Sequence, residues 1–133
     1  MLLGMFEELT VNECIFCQVP KDEIVAESDL CLAFYDRYPV SPGHMLIIPK
    51  RHVASYFELT DDEVNAMQTM LFEMKDVVQE LYKPDGFNIG VNVGEAAGQS
   101  IFHVHMHLIP RYTGDVEYPR GGVRGVIPEK QNY

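Results

Sequence analysis

Residues 100–110 read SIFHVHMHLIP, with histidine at 103, 105 and 107 and apolar residues at 104, 106 and 108. A period of two is the mark of an extended strand, whose successive side chains point to opposite faces. His103, His105 and His107 therefore share one face, and Val104, Met106 and Leu108 can form the core face. At a rise of about 3.3 Å per residue the outer two Cα atoms lie about 13 Å apart, which makes one metal ion held by all three awkward. A division of labour is the natural expectation: one imidazole serves a metal while the others face a substrate. The plainer reading is a solvent face that happens to be rich in histidine. Imidazole is the usual acid–base and metal-binding side chain near neutral pH, and three of the five histidines of the chain sit here.

The rest of the chain supplies a frame for that strand. Residues 23–28 (EIVAES) and 30–36 (LCLAFYD) read as a hairpin turning near Ser28-Asp29. RYPVSPG, 37–43, is turn punctuation, and HMLIIPK, 44–50, is an apolar run that Pro49 should end. Thr60-Asp61-Asp62-Glu63 forms a capping box, after which Val64, Met67, Leu71, Met74, Val78 and Leu81 recur at spacings of three and four. Pro84 stops that helix. GFNIGVNVG, 86–94, alternates like a strand, and the Gly-rich GEAAGQS, 94–100, feeds the histidine segment. Strands outnumber helices and their connections are short, which predicts an α+β domain: an antiparallel sheet with one long helix on one face.

With 133 residues, 47% of them apolar and 23% charged, the chain fits a single domain able to bury its own core. The expected core spans about 12–112, with an irregular tail over 113–133. Twenty acidic against ten basic side chains, a formal charge of −10, argue against a nucleic-acid polymer as partner. A small anionic ligand is still compatible, because backbone N–H groups and a few placed side chains can hold one phosphate. No apolar run approaches the length that spans a bilayer, so no membrane partner is expected. MLLGMF at the start lacks the features of a secretory signal. Three cysteines, Cys14, Cys17 and Cys31, are an odd count for a disulfide framework and predict a reducing, cytoplasmic setting.

Cys14 and Cys17 form a C-x-x-C pair, which by itself suits a redox pair, half a zinc site or two reduced thiols. The strand-to-helix context of a thioredoxin-like motif is missing. His52, just past a strand end, and His103 would complete a Cys14, Cys17, His52, His103 tetrahedron, closed and therefore structural. That assignment leaves His105 and His107 for chemistry. Cys31 falls within a strand pattern and reads as core.

Taken together, LAFYDRYPVSPGHMLIIPKRH (32–52), NVGEAAGQSIFHVHMHLIPR (92–111) and the His-x-His-x-His pattern followed by Leu108-Ile109 resemble the histidine triad (HIT) family of nucleotide hydrolases and transferases. The resemblance implies an antiparallel sheet of about five strands with a long helix, and a homodimer that runs the sheet on between subunits. It implies that His105 is the nucleophile on the α-phosphorus of a nucleotide. His107 would lie at the phosphate, and His44 would complement and orient the triple, with His103 at its head. Asp36 matches the position that holds ribose hydroxyls. Asn92, Gly98, Gln99 and Ser100 match the loop that contacts phosphate and leaving group. A zinc set built on C-x-x-C recurs in branches of the family, with no metal required for the chemical step. Ser100 also reads as a hydroxyl bonding its local backbone, and Asp36 as a turn residue.

The expected activity is cleavage at the α-phosphate of a purine nucleotide conjugate, adenine or another purine, through a nucleotidyl-histidine intermediate. The conjugate is a phosphoramidate or a dinucleoside polyphosphate; in the alternative of a phosphorylase or nucleotidyltransferase, phosphate or another acceptor replaces water. Two other classes stand beside it: a nucleotide-binding regulator with little turnover, and a zinc-dependent interaction module.

Overall fold

The computed structural model describes residues 13–133; the reading of MLLGMF and the first residue of the expected core lie outside them. Five strands form one antiparallel sheet in the order β1-β2-β3-β5-β4: β1 is Ile24–Glu27, β2 Cys31–Tyr35, β3 Met45–Pro49, β4 Gly86–Val91 and β5 Met106–Arg111. One helix, α1, runs over Asp61–Tyr82 between β3 and β4.

Alternation in the strands sorts the apolar residues onto two sides. Cys31 and Ala33 of β2, Met45 and Ile47 of β3, and Met106 and Leu108 of β5 meet Met67, Met70, Leu71, Met74 and Val78 of α1. Leu32, Phe34, Leu46 and Ile48 point the other way and are covered by Cys14 and Phe16 of the N-terminal turn. The middle strands are thus buried on both faces. That is why LCLAF and MLIIP are continuous apolar runs rather than alternating ones.

The helix begins where expected. Thr60 Oγ1 accepts from the Glu63 N–H at 3.1 Å, and Glu63 Oε1 accepts from the Thr60 N–H at 2.8 Å. The buried Glu63 carboxylate also takes two hydrogen bonds from Arg51, at 3.1 and 2.8 Å, and Arg51 donates to the Glu58 carbonyl. This strap fastens the start of α1 to the segment that follows β3. At the other end Lys83 closes α1 in the left-handed conformation, with Pro84 behind it.

Three expectations shift. Leu81 is 64% exposed, and Met70 takes a place in the core. Twenty-two helical residues span about 33 Å, whereas a five-residue strand spans about 17 Å, so the last turn of α1 overhangs the sheet. The strand expected over 86–94 ends at Val91, and residues 95–97 form a 3-10 turn. The histidine strand begins only at Met106, so His103 and His105 precede it. Its pairing with β4 stops at Val91↔Met106, and the Val104 N–H turns instead to the Val53 carbonyl at 2.8 Å. The division of faces survives: Val104 joins the helix-side core, and His105 and His107 lie on the opposite side.

Candidate active site

Each histidine of the cluster is held by a group that dictates which ring nitrogen carries the proton. His103 points Nε2 at the Pro49 carbonyl, 2.8 Å away. A carbonyl only accepts, so Nε2 carries the hydrogen and Nδ1 presents a lone pair. His105 Nδ1 lies 2.8 Å from the His103 carbonyl, so here Nδ1 carries the hydrogen and Nε2 holds the lone pair. His44 Nδ1 accepts from the Val40 N–H at 3.1 Å, which leaves the hydrogen of neutral His44 on Nε2. That Nε2–H faces His107 Nδ1 at 2.9 Å, with Asp36 Oδ2 at 3.5 Å. His107 Nδ1 therefore accepts, and its own N–H is Nε2.

The fold delivers these rings by short routes. His107 pairs with Leu46 across β3–β5, and His44 immediately precedes β3. Gly43 makes the approach of His44 feasible: its φ is +89°, and a Cβ there would sit 2.9 Å from the Tyr82 ring. Asp36 follows β2, its N–H bonded to the His44 carbonyl and its Oδ1 accepting from the Tyr38 N–H. Asp36 is thus both a turn residue and a wall of the site.

Burial keeps the imidazoles neutral. It pulls His44, His103 and His105 below the ordinary histidine value, against the raising effect of Asp36 on His44 and of backbone acceptors on the other two. His107 falls furthest, to about 4, through burial first and then the nearby His105 and His44. A cluster that stays uncharged at neutral pH keeps the Nε2 lone pair of His105 available.

His105, His107 and Asp36 open into a cavity of about 250 Å³ whose remaining walls are mostly apolar: Phe16, Val19, Phe34, Leu46 and Ile101. Phe16 meets the His105 ring edge-on with centroids 5.0 Å apart. Apolar pocket walls and core look alike in a sequence, so these residues carry no local mark of the cavity beyond the position of Phe16 inside C-x-x-C.

Asn92, Gly98, Gln99 and Ser100 do not line this cavity. Gln99 is buried as a brace: its Oε1 accepts from the Gly94 N–H, and its Nε2 donates to the Ala54 and Ile101 carbonyls. Gly98, at φ +95°, closes the turn before it. The brace, together with the Val104–Val53 bond, pins the histidine segment beside the chain that carries His52.

Cys14, Cys17, His52 and His103 converge on the far side of His103, with their ligand atoms all within 4.8 Å of one another. Cys14 Sγ and Cys17 Sγ lie 3.5 and 3.4 Å from His103 Nδ1, and Cys17 Sγ lies 3.2 Å from His52 Nδ1. Tetrahedral zinc places sulfur and nitrogen ligands about 3.6 Å apart, so the set fits that ion. His103 turns the correct nitrogen to it, and the Pro49 carbonyl supplies the outer hydrogen bond that zinc-binding histidines use. Burial and the adjacent Cys14 push the Cys17 thiol up to about 11; a divalent cation is what brings such a pair to thiolate near neutral pH. Cys31, against Met70, takes no part.

The sheet, the single helix and a buried histidine cluster beside a two-cysteine turn define a small α+β domain built to present imidazole nitrogens to a ligand cavity. The chain belongs to the HIT family, whose domain model matches residues 18–114. An adenylylsulfatase of Arabidopsis thaliana, HINT3, is 39% identical over 117 residues, covering 84% of this chain and 59% of the relative. An AP-4-A phosphorylase of Mycobacterium tuberculosis is 35% identical over 122 residues, covering 86% of this chain and 62% of the relative. The crystal structure of a zinc-bound histidine triad family protein from Mycobacterium smegmatis superposes with a TM-score of 0.72 at 31% identity, covering 80% of each chain.

Proposed function

We propose that the protein is a nucleotide hydrolase or nucleotidyltransferase that works through a covalent nucleotidyl-His105 intermediate. The observation that carries this reading is the hydrogen bond from His105 Nδ1 to the His103 carbonyl, which leaves Nε2 as a lone pair in the cavity. Nε2 attacks the α-phosphorus of a purine nucleotide conjugate, and the bond to the leaving group breaks. The ring becomes cationic, and the His103 carbonyl stabilises the strengthened Nδ1–H donor. His107 Nε2–H donates to a phosphoryl oxygen as charge builds there. Water then attacks phosphorus from the opposite side, the P–N bond breaks, and nucleoside monophosphate leaves.

The activities named for the adenylylsulfatase and AP-4-A phosphorylase relatives support nucleotide substrates in general. Asp36 is proposed to hold ribose, and the loop of Asn92, Gly98 and Ser100, braced from inside by Gln99, is proposed to lie on the leaving-group side, beyond the cavity itself. Zinc is proposed to sit among Cys14, Cys17, His52 and His103 as a structural ion, with no part in the bond changes. The same neutral cluster would also suit a protein that binds nucleotide and releases it unchanged.

Wild type and His105→Ala incubated with an adenosine phosphoramidate and with diadenosine tetraphosphate separate these readings. Turnover by wild type that falls by about four or more orders of magnitude in the variant, with nucleoside monophosphate binding kept, is the expected result. Equal rates in both proteins would remove His105 as nucleophile. Absence of turnover with monophosphate still bound would favour the binding protein. Adding inorganic phosphate and recovering nucleoside diphosphate would identify a phosphorylase.

A further inference from the structure

The polar groups of the cavity wall fall into two sets. His105, His107 and Asp36 form one. The other is Glu23, Arg37 and Tyr38, on the wall of the same cavity. Glu23 ends the 3-10 turn Lys21–Glu23 ahead of β1, and Arg37 follows Asp36. Arg37 grips the Glu23 carboxylate with both arms of its fork, Nε to Oε1 at 3.0 Å and one terminal nitrogen to Oε2 at 2.7 Å. The grip fixes the carboxylate on the cavity wall and holds it ionised, its pKa below the usual range.

We propose that Glu23, oriented by Arg37, reads the base of the bound nucleotide and favours guanine over adenine. The inference rests on the nucleotide reading of the cavity. With the α-phosphate at His105 and ribose at Asp36, the base occupies the apolar slot, and the polar side chains left for its edge are Glu23, Arg37 and the 86% exposed Tyr38. The Arg37 fork takes the two lone pairs that point the same way, and the remaining pairs diverge, so one Glu23 oxygen at a time is left to accept from the base edge. Guanine offers adjacent donors, N1–H and the 2-amino group, to such an acceptor. Adenine offers its 6-amino group beside N1, a lone pair that a carboxylate repels. The second terminal nitrogen of Arg37 remains to donate to guanine O6. Hypoxanthine, with N1–H and no 2-amino group, is intermediate.

Titration calorimetry of the full-length protein with GMP, IMP and AMP tests this. Wild type is expected to bind GMP about tenfold more tightly than AMP, with IMP between them. Glu23→Gln is expected to weaken GMP by about that factor and to change AMP less than threefold, so that the preference disappears. Arg37→Met, which frees the carboxylate, is expected to erode the preference in the same direction. Arg37 is exposed and Glu23 half-buried, and an unchanged Tm shows that each variant is folded. Equal affinity of wild type for all three nucleotides would overturn the guanine preference and leave the nucleotide reading standing. Parallel loss of all three in either variant would make the pair a strut of the cavity wall and overturn its reading role. Binding of none of them by wild type would overturn both readings together.

Discussion

At the scale of single residues, the structure converts three similar histidines into three different groups. His103 offers Nδ1 to the cysteine side, His105 offers Nε2 to the cavity, and His107 offers an N–H. The partner that decides each tautomer is a backbone carbonyl or another ring, and nothing in H-V-H-M-H distinguishes them. The lowered pKa values give two expectations. Nucleotide turnover should stay flat from pH 8 to below the ordinary histidine range, then fall as the cluster protonates as a coupled unit. Stability should fall in acid for the same reason. Between an unfolded value near 6.5 and the folded value of about 4, His107 binds a proton in the unfolded chain and not in the native one. Stability therefore rises with pH through that window and levels off above it. His107→Gln should flatten the slope of Tm between pH 4 and 6.5; an unaltered slope would clear His107 of the effect.

At the scale of elements, two short segments set the site. The first is the Glu63–Arg51 strap, which joins the N-terminus of α1 to the stretch leading to His52. Glu63→Ala removes half of the capping box and leaves Arg51 without its carboxylate. We expect a loss of about 1–3 kcal/mol in urea unfolding. A loss below about 0.5 kcal/mol would mean that the strap follows from the fold rather than supporting it. The second is the Cys14–Cys17 turn, which contributes two candidate metal ligands and Phe16 against His105. Purified protein should contain about one zinc per chain, and chelation should lower Tm and weaken nucleotide binding together as Phe16 loosens. Metal-free protein with all three thiols freely titrating in the native state would dismiss the zinc proposal. The helix was readable because capping and a 3.6-residue period are local signals. The early end of the sheet before Met106 was not, because strand pairing depends on where β4 stops, a property of another segment.

At the scale of the whole molecule, β4 is an edge strand, and Ile89 on it is 48% exposed. We propose that a second copy pairs along this edge to make a homodimer, as the family resemblance suggests. Light scattering should give twice the monomer mass, and a monomer mass at micromolar concentration would reject it. No helix among the described residues is long and apolar enough to cross a membrane.

From the sequence alone follow the elements and their faces: the capped helix, the apolar middle strands, the polar and apolar sides of the histidine segment, and the C-x-x-C pair as a candidate half of a metal site. These depend on periodicity, on caps and on the chemistry of residue types, all of which act over a few positions. Only the tertiary structure decided which nitrogen of each imidazole carries its proton, that Gln99 is an internal brace, that Phe16 covers His105, and that a Glu23–Arg37 pair stands on the cavity wall. Those outcomes depend on contacts between positions far apart in the chain. Hydrogen bonds to backbone carbonyls and the walls of a cavity leave no local mark in the order of residues, because any residue supplies a carbonyl and any apolar side chain can make a wall.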